Sequence, residues 1–166
     1  DMRSAVEADL QQLKLVFAIY RRYDKAIDPG HIHAEIAARL REELDYERER
    51  KHMQLYRLML EGKDFVHIPQ PVDELSTDRL LTMEWVTGER LGAYEDAPQE
   101  VRNGIAKRLY WTWWLPFTSH AVIHGDPHLG NYQVRDGGEG LNLLDFGCVR
   151  IFPPNFVGGV GDLYRA

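Results

Sequence analysis

The stretch His124-Gly125-Asp126-Pro127-His128-Leu129-Gly130-Asn131 sets a carboxylate five residues before an amide, and Asp145-Phe146-Gly147 brings in a second carboxylate further on. Phosphoryl transfer uses such a set. A carboxylate must stand near the acceptor oxygen, and oxygen ligands must hold magnesium against the phosphates. Mg²⁺ is bound by one or two carboxylates, with phosphate oxygens completing its shell. Asp126 is therefore the catalytic candidate, and Asn131 and Asp145 are the metal candidates. Taken singly, each pattern is turn chemistry, because Asp, Asn and Gly all favour turns. In this order, around a predicted hairpin and after an apolar helix, they point to one site. A hairpin folds its ends together, so Asn131 and Asp145 are expected to lie close. His124 is counted with the catalytic set as the residue expected to hold the loop by hydrogen bonds.

A third group is Glu43-Leu44-Asp45-Tyr46-Glu47-Arg48-Glu49. Asp45 and Glu49 are four apart and share a helix face. A kinase site needs a helix glutamate to pair with the lysine that grips the nucleotide phosphates. By themselves, however, such charged residues read as a solvated face.

The elements that must position these residues can be drawn from periodicity. Ser4-x-x-Glu7 has the form of a capping box. Val6, Leu10, Leu13, Phe17 and Tyr20 follow as one apolar helical stripe. Asp28-Pro29 restarts a helix, with aspartate as N-cap, and nothing in the charged stretch from Arg39 to Lys51 breaks it, which predicts one long helix from about Pro29 to Leu60, ending near Gly62. FVHIPQPV has two prolines and reads as an irregular or edge strand. RLLTMEWV, residues 79–86, reads as a buried strand. Gln99 to about Val122 is a helix with Pro116 as a kink point. Tyr132–Arg135 and Leu141–Leu144 flank DGGEG as a hairpin. The expected class is α+β, divided into residues 1–86 and 87–166 with the join near Val86 to Gly88.

Composition narrows the function. The chain has 166 residues, and a hydrophobic share of 44% suffices to bury a core. A net charge of -6 argues against a nucleic-acid partner. Cys148 stands alone, so no internal disulfide can form. No signal peptide opens the sequence, and the uncharged run LYWTWWLPFTSHAVIH, with its proline and histidines, reads as a buried helix rather than a membrane span. Asp1 falls inside a helical pattern and Leu163–Ala166 brings no closing element, so the chain is expected to be a piece of a longer protein.

Three of these segments carry a resemblance. The chain resembles the UbiB family of atypical kinase-like proteins, which is associated with ubiquinone biosynthesis. The family's Glu-x-Asp with a further glutamate is matched by Glu43, Asp45 and Glu49, a family strand by LLTMEWVTGERL, and the family's His-Ala-Asp-Pro-His-Pro-Gly-Asn and Asp-Phe-Gly by HGDPHLGN and Asp145-Phe146-Gly147. The resemblance implies a protein-kinase-like fold with a partial N-lobe and a partial C-lobe, using ATP and Mg²⁺. It implies Asp126 as the catalytic-loop aspartate, Asn131 and Asp145 as magnesium ligands, and Glu49 as partner of the nucleotide lysine. Met83, Glu84 and Val86 would belong to the hinge that contacts adenine, and Glu43 and Asp45 would meet a family-specific extension over the site. Gly125, Leu129, Arg50 and His52 depart from the family's alanine, proline, alanine and asparagine. The family's alanine-rich loop, strand lysine and Lys-x-Gly-Gln would precede Asp1, so the chain alone is expected to transfer little phosphate. A cytoplasmic location is expected, with lipid- or quinone-pathway partners and peripheral inner-membrane attachment through segments outside this chain. His-Gly-Asp also marks aminoglycoside- and choline-kinase-like enzymes, which leaves a small-molecule phosphotransferase as one alternative and a non-catalytic nucleotide-binding scaffold as another.

Other features have plainer readings. His120, His124 and His128 are spaced four apart, but Pro127 breaks the helix face that would join them as metal ligands. Tyr110, Trp111, Trp113, Trp114 and Phe117 read as core, with a lipid-facing patch as the sharper alternative. Cys148 reads as a small buried hydrophobe.

Overall fold

A computed structural model describes residues 2–21 and 29–165. Backbone contacts divide the chain into two compact units, Asp1–Asp45 and Tyr46–Ala166.

The first unit is a helical hairpin of α1 (Met2–Tyr20) and α2 (Pro29–Glu43). Leu10 and Ala37 are buried. His33 bonds the Leu10 carbonyl at 2.9 Å, and Glu7 receives both ends of the Arg41 guanidinium at 2.7 and 3.0 Å. Ser4 lies inside α1 rather than before it, so the expected capping box does not form. The helix has already begun at Met2 and Arg3, both good helix formers. Asp28 lies outside the described residues.

The single long helix expected from Pro29 to Leu60 is two helices, α2 and α3 (Tyr46–Met59). The last turn of α2 tightens through bonds from Leu44 N to Arg41 O and from Asp45 N to Glu42 O, at 3.3 and 3.1 Å. Asp45 then stands just before α3, a position aspartate favours, and Glu47 and Glu49 complement the first turn.

The second unit is a four-stranded sheet, a two-stranded ribbon and three helices. The sheet runs β1 (Val66–His67), β5 (Gly140–Leu143), β4 (Tyr132–Arg135), β2 (Glu89–Arg90), with β1 parallel to β5 and the other pairs antiparallel. The hairpin β4–β5 is the one expected around DGGEG, and β1 is the expected edge strand. One face of the hairpin presents Val134 and Leu141 to Ile105 of α4 (Gln99–His120), which continues through Pro116. Met53 and Tyr56 of α3, Tyr132, Leu143 and Phe146 form the main core. The ribbon pairs β3 (Val122–His124) with β6 (Val149–Ile151), and α5 (Pro154–Arg165) follows.

Residues 79–86 do not form the expected buried strand. Leu80 is 55% exposed and Trp85 90% exposed. Their partner segment contains Pro69 and Pro71, which have no N–H to give a ladder. Two backbone bonds remain, Val72 N to Thr82 O and Glu84 N to Gln70 O, both 2.8 Å. The reciprocal donors turn to side chains, Gln70 N to Glu84 Oε2 and Thr82 N to Ser76 Oγ. The result is a stiff strap rather than a strand.

The aromatic residues of α4 divide. Phe117 is buried, Trp113 donates to the His124 carbonyl, and Tyr110 and Trp111 are largely exposed. Tyr110, Trp114 and Phe117 line an apolar groove of about 530 Å³ against Val157, Val160 and Tyr164 of α5. No helix among the described residues is long and apolar enough to cross a membrane.

Candidate active site

The loop after β3 and the turn after β5 converge because both flank paired strands. His124 pairs with Val149, and the next residue extends the register, with Gly125 N donating to Cys148 O at 2.7 Å. A Cβ on Gly125 would stand 2.5 Å from that same carbonyl and 3.0 Å from Cys148 Sγ. Glycine here allows the loop to lie flat on the segment that follows Asp145. On the other side, Leu144 N donates to Asn131 O at 3.0 Å.

Within the loop, Asn131 Nδ2 donates to both the Asp126 carbonyl and its Oδ2, each at 3.2 Å. With the nitrogen turned to Asp126, the amide oxygen of Asn131 is the atom left to face a cation. His128 Nδ1 accepts from Gly130 N at 3.1 Å and caps the single turn Leu129–Asn131. Asp145 uses one carboxylate oxygen to accept from Gly147 N at 2.9 Å. Asp126 is exposed, and Asn131 and Asp145 are half-buried. The carboxylate of Asp145 and the amide oxygen of Asn131 are hard oxygen donors of the kind that suit Mg²⁺ together with phosphate oxygens. Among the described residues no three His, Cys, Asp or Glu side chains cluster as a metal site.

The backbone around Asp145 is held from two elements. His124, 1% exposed, directs Nε2 at the Asp145 carbonyl, so that nitrogen carries the proton. Its ring sits among Tyr56, Tyr132 and Phe146. From α3, Glu49 Oε1 accepts the Phe146 N–H at 3.4 Å, and His52 Nδ1 bonds the Phe146 carbonyl at 3.0 Å. Arg50 pairs with Asp73 at 3.1 Å. Two of the residues that depart from the family pattern thus have defined contacts. Of the three α3 residues, Glu49 alone is a site candidate from the sequence. His52 lies one helical turn after it, on the same face, but nothing local in the sequence pairs either residue with Phe146, 94 and 97 positions along the chain.

The expected hinge residues lie in the strap. Met83 bridges to Pro71. The Glu84 carboxylate accepts from Gln70 N and pairs with His67 Nε2, each at 3.1 Å. The Gln70 N–H, aided by His67, holds its pKa below the ordinary 4.5. Val86 follows on the strap, and Asn142 of β5 donates to the Thr87 carbonyl at 3.0 Å. Glu43 and Asp45 are exposed and belong to the first unit. The structure therefore brings Asp126, Asn131, Asp145, Glu49 and His124 to one place, with Met83, Glu84 and Val86 on a separate strap of the same unit.

The ABC1 atypical kinase-like domain matches residues 1–164. The chain belongs to this family. The atypical kinase coq-8, mitochondrial, of Caenorhabditis elegans is 29% identical over 96% of the chain and 21% of its own length. The atypical kinase COQ8B, mitochondrial, of Danio rerio is 34% identical over 69% of the chain and 18% of its own length. The chain thus spans about a fifth of the length of these two relatives. A Mycobacterium tuberculosis structure, solved as an Rv3197–erythromycin complex, superimposes with a TM-score of 0.77 at 23% identity, over 90% of this chain and 38% of that one. The fold is kinase-like and α+β, in agreement with the class expected from the sequence.

Proposed function

We propose that this chain carries part of the site of a Mg²⁺- and ATP-dependent atypical kinase or ATPase that supports ubiquinone biosynthesis. The observation that carries the reading is the Asn131 side chain bonded to Asp126 while its carbonyl receives Leu144 N, beside Asp145. Asn131 and Asp145 would hold the magnesium ion, which when bound supplies positive charge to the phosphate oxygens. Asp126 orients the acceptor hydroxyl or water through its carboxylate, and the amide of Asn131 fixes that carboxylate's direction. Such fixed groups need no rearrangement as charge develops, which is how preorganised sites lower a barrier. Adenine would lie along the strap at Met83, Glu84 and Val86. The apolar groove between α4 and α5 is the surface that a lipid-pathway partner would meet.

Binding is the appropriate test, because the chain spans about a fifth of the length of the two relatives named above. Mn²⁺ serves as the probe, read by electron paramagnetic resonance with and without ATP. ATP is expected to tighten Mn²⁺ binding to the chain, and Asp145→Asn is expected to abolish that gain, at least tenfold. Equal Mn²⁺ binding by parent and Asp145→Asn would overturn the assignment. In the full-length protein, Asp126→Asn should cut turnover while leaving Mn²⁺ binding intact.

A further inference from the structure

Four successive backbone groups around Asp145 have partners, and three of those partners lie outside the segment. The Asp145 carbonyl takes His124 Nε2, the Phe146 N–H gives to Glu49 at 3.4 Å, and the Phe146 carbonyl takes His52 Nδ1 at 3.0 Å. The fourth, Gly147 N–H, gives to Asp145's own Oδ1 at 2.9 Å. The Phe146 ring is wholly buried against Tyr56 and His124. Such a peptide has little freedom. Its carbonyl directions are fixed, the ring cannot rotate out without emptying the core, and the carboxylate of Asp145 points where these bonds allow.

The two imidazoles act from different elements and on successive carbonyls. His124 belongs to β3, and its backbone is tied into the ribbon with β6. His52 belongs to α3 and is half-buried. The contribution of α3 to the Phe146 peptide is the Glu49–His52 pair, one turn of helix reading one N–H and one C=O. The Glu49 bond is long at 3.4 Å, near the outer limit for such a bond, whereas that of His52 is of ordinary length.

We propose that His52 is a positioning residue for Asp145: its Nδ1–H bond to the Phe146 carbonyl couples helix α3 to the direction of the metal-binding carboxylate. The inference rests on the metal role proposed for Asp145. A group that can donate one hydrogen bond from the same helix position can substitute for the imidazole, and an asparagine amide is such a group. An alanine cannot. Loss of the imidazole takes this partner from the carbonyl of the buried Phe146, and frees the peptide that follows Asp145 to rotate.

The test compares the chain with His52→Ala and His52→Asn. Hydrogen exchange of the Phe146 and Gly147 amides is the first readout, and it needs no metal or nucleotide. His52→Ala is expected to speed their exchange about tenfold while the amides of β4 and β5 keep their protection, and His52→Asn is expected to restore the parent rate. Unchanged exchange in His52→Ala, or an asparagine variant no better than alanine, overturns the proposal. The second readout is Mn²⁺ affinity, expected to fall about tenfold in His52→Ala and to recover in His52→Asn. Fast exchange with unchanged Mn²⁺ affinity in His52→Ala would overturn the coupling to the metal carboxylate. If the parent and Asp145→Asn bind Mn²⁺ alike, the metal reading of the site fails instead, and the exchange data alone decide whether His52 holds the peptide.

Discussion

Tyr56 shows how a single side chain serves the core without serving the site. It is fully buried on α3 between His124 and Phe146, yet its hydroxyl has no hydrogen-bond partner. A buried polar atom without a partner is destabilising, so removing the atom while keeping the ring should be harmless. Tyr56→Phe is expected to leave stability unchanged or to raise it by up to about 1 kcal/mol. Tyr56→Ala, which empties the space, should cost about 3–5 kcal/mol. Urea unfolding of both variants checks this, and a clear loss in Tyr56→Phe would show that the hydroxyl is satisfied in solution. Gly125 makes the complementary point. Its missing Cβ is what lets the loop bearing Asp126 approach Cys148, whose carbonyl oxygen would stand 2.5 Å from a Cβ at this position.

Among the elements, the hairpin β4–β5 is anchored at its turn end by Arg135, which faces Gly140 across the ladder. Its guanidinium donates to the Asp64 carbonyl beyond α3 and pairs with Asp136. The side chain reaches there by lying across Gly140, where a Cβ would stand 2.6 Å from both Nε and Cζ. Gly140→Ala is therefore expected to displace Arg135, break its link to Asp64 and lower stability by about 1–3 kcal/mol. Arg135→Met combined with Gly140→Ala should lose little beyond Arg135→Met alone, and thermal melts of the three variants decide it. Additive losses would mean that the two residues do not share one contact.

The legibility of these elements in the sequence follows from what each depends on. Helix α4 and the hairpin were readable because apolar periodicity and clustered glycines are local signals. The strap at residues 79–86 misled because the deciding residues, Pro69 and Pro71, lie on its partner and not within it. The division of the long helix was signalled by Asp45, but a cap aspartate and a surface aspartate look alike in a charged run. For the site, the order Asp126, Asn131, Asp145 gave the part built by the hairpin and the ribbon, where Leu144 N meets Asn131 O and His124 meets Asp145. The contacts of Glu49 and His52 with Phe146 join helix α3 to a segment far along the chain. Spacing cannot reveal a bond of that kind.

At the scale of the molecule, alkaline pH probes the same core. Burial, with the charge of Asp126 adding to it, pushes the Tyr132 pKa up to about 12 from an ordinary 10.0. Burial raises Tyr56 further, and Tyr132 adds to it. The unfolded chain loses these protons near pH 10 while the folded chain keeps them. The stabilisation is therefore complete below about pH 10 and is lost as pH rises through the folded values. Melting temperature is expected to fall steeply from pH 10 to pH 12, and the fall should be shallower in Tyr132→Phe. A melting temperature that stays level across this range in the parent chain would contradict the burial of both phenols.

The parallel pairing of β1 with β5 has a consequence for a chain made from its N-terminus onward. Val66 meets Leu141, and His67 meets Asn142, so β1 leaves the ribosome long before its neighbour exists. Antiparallel partners can be joined by a tight turn, but a parallel pair must wait for the whole crossover between them. Here that crossover contains the strap, α4, the loop with Asp126 and the first strand of the hairpin. Met53 and Tyr56 of α3 and Val66 of β1 thus gain Leu143 and Phe146 as core partners only after the whole crossover has been made.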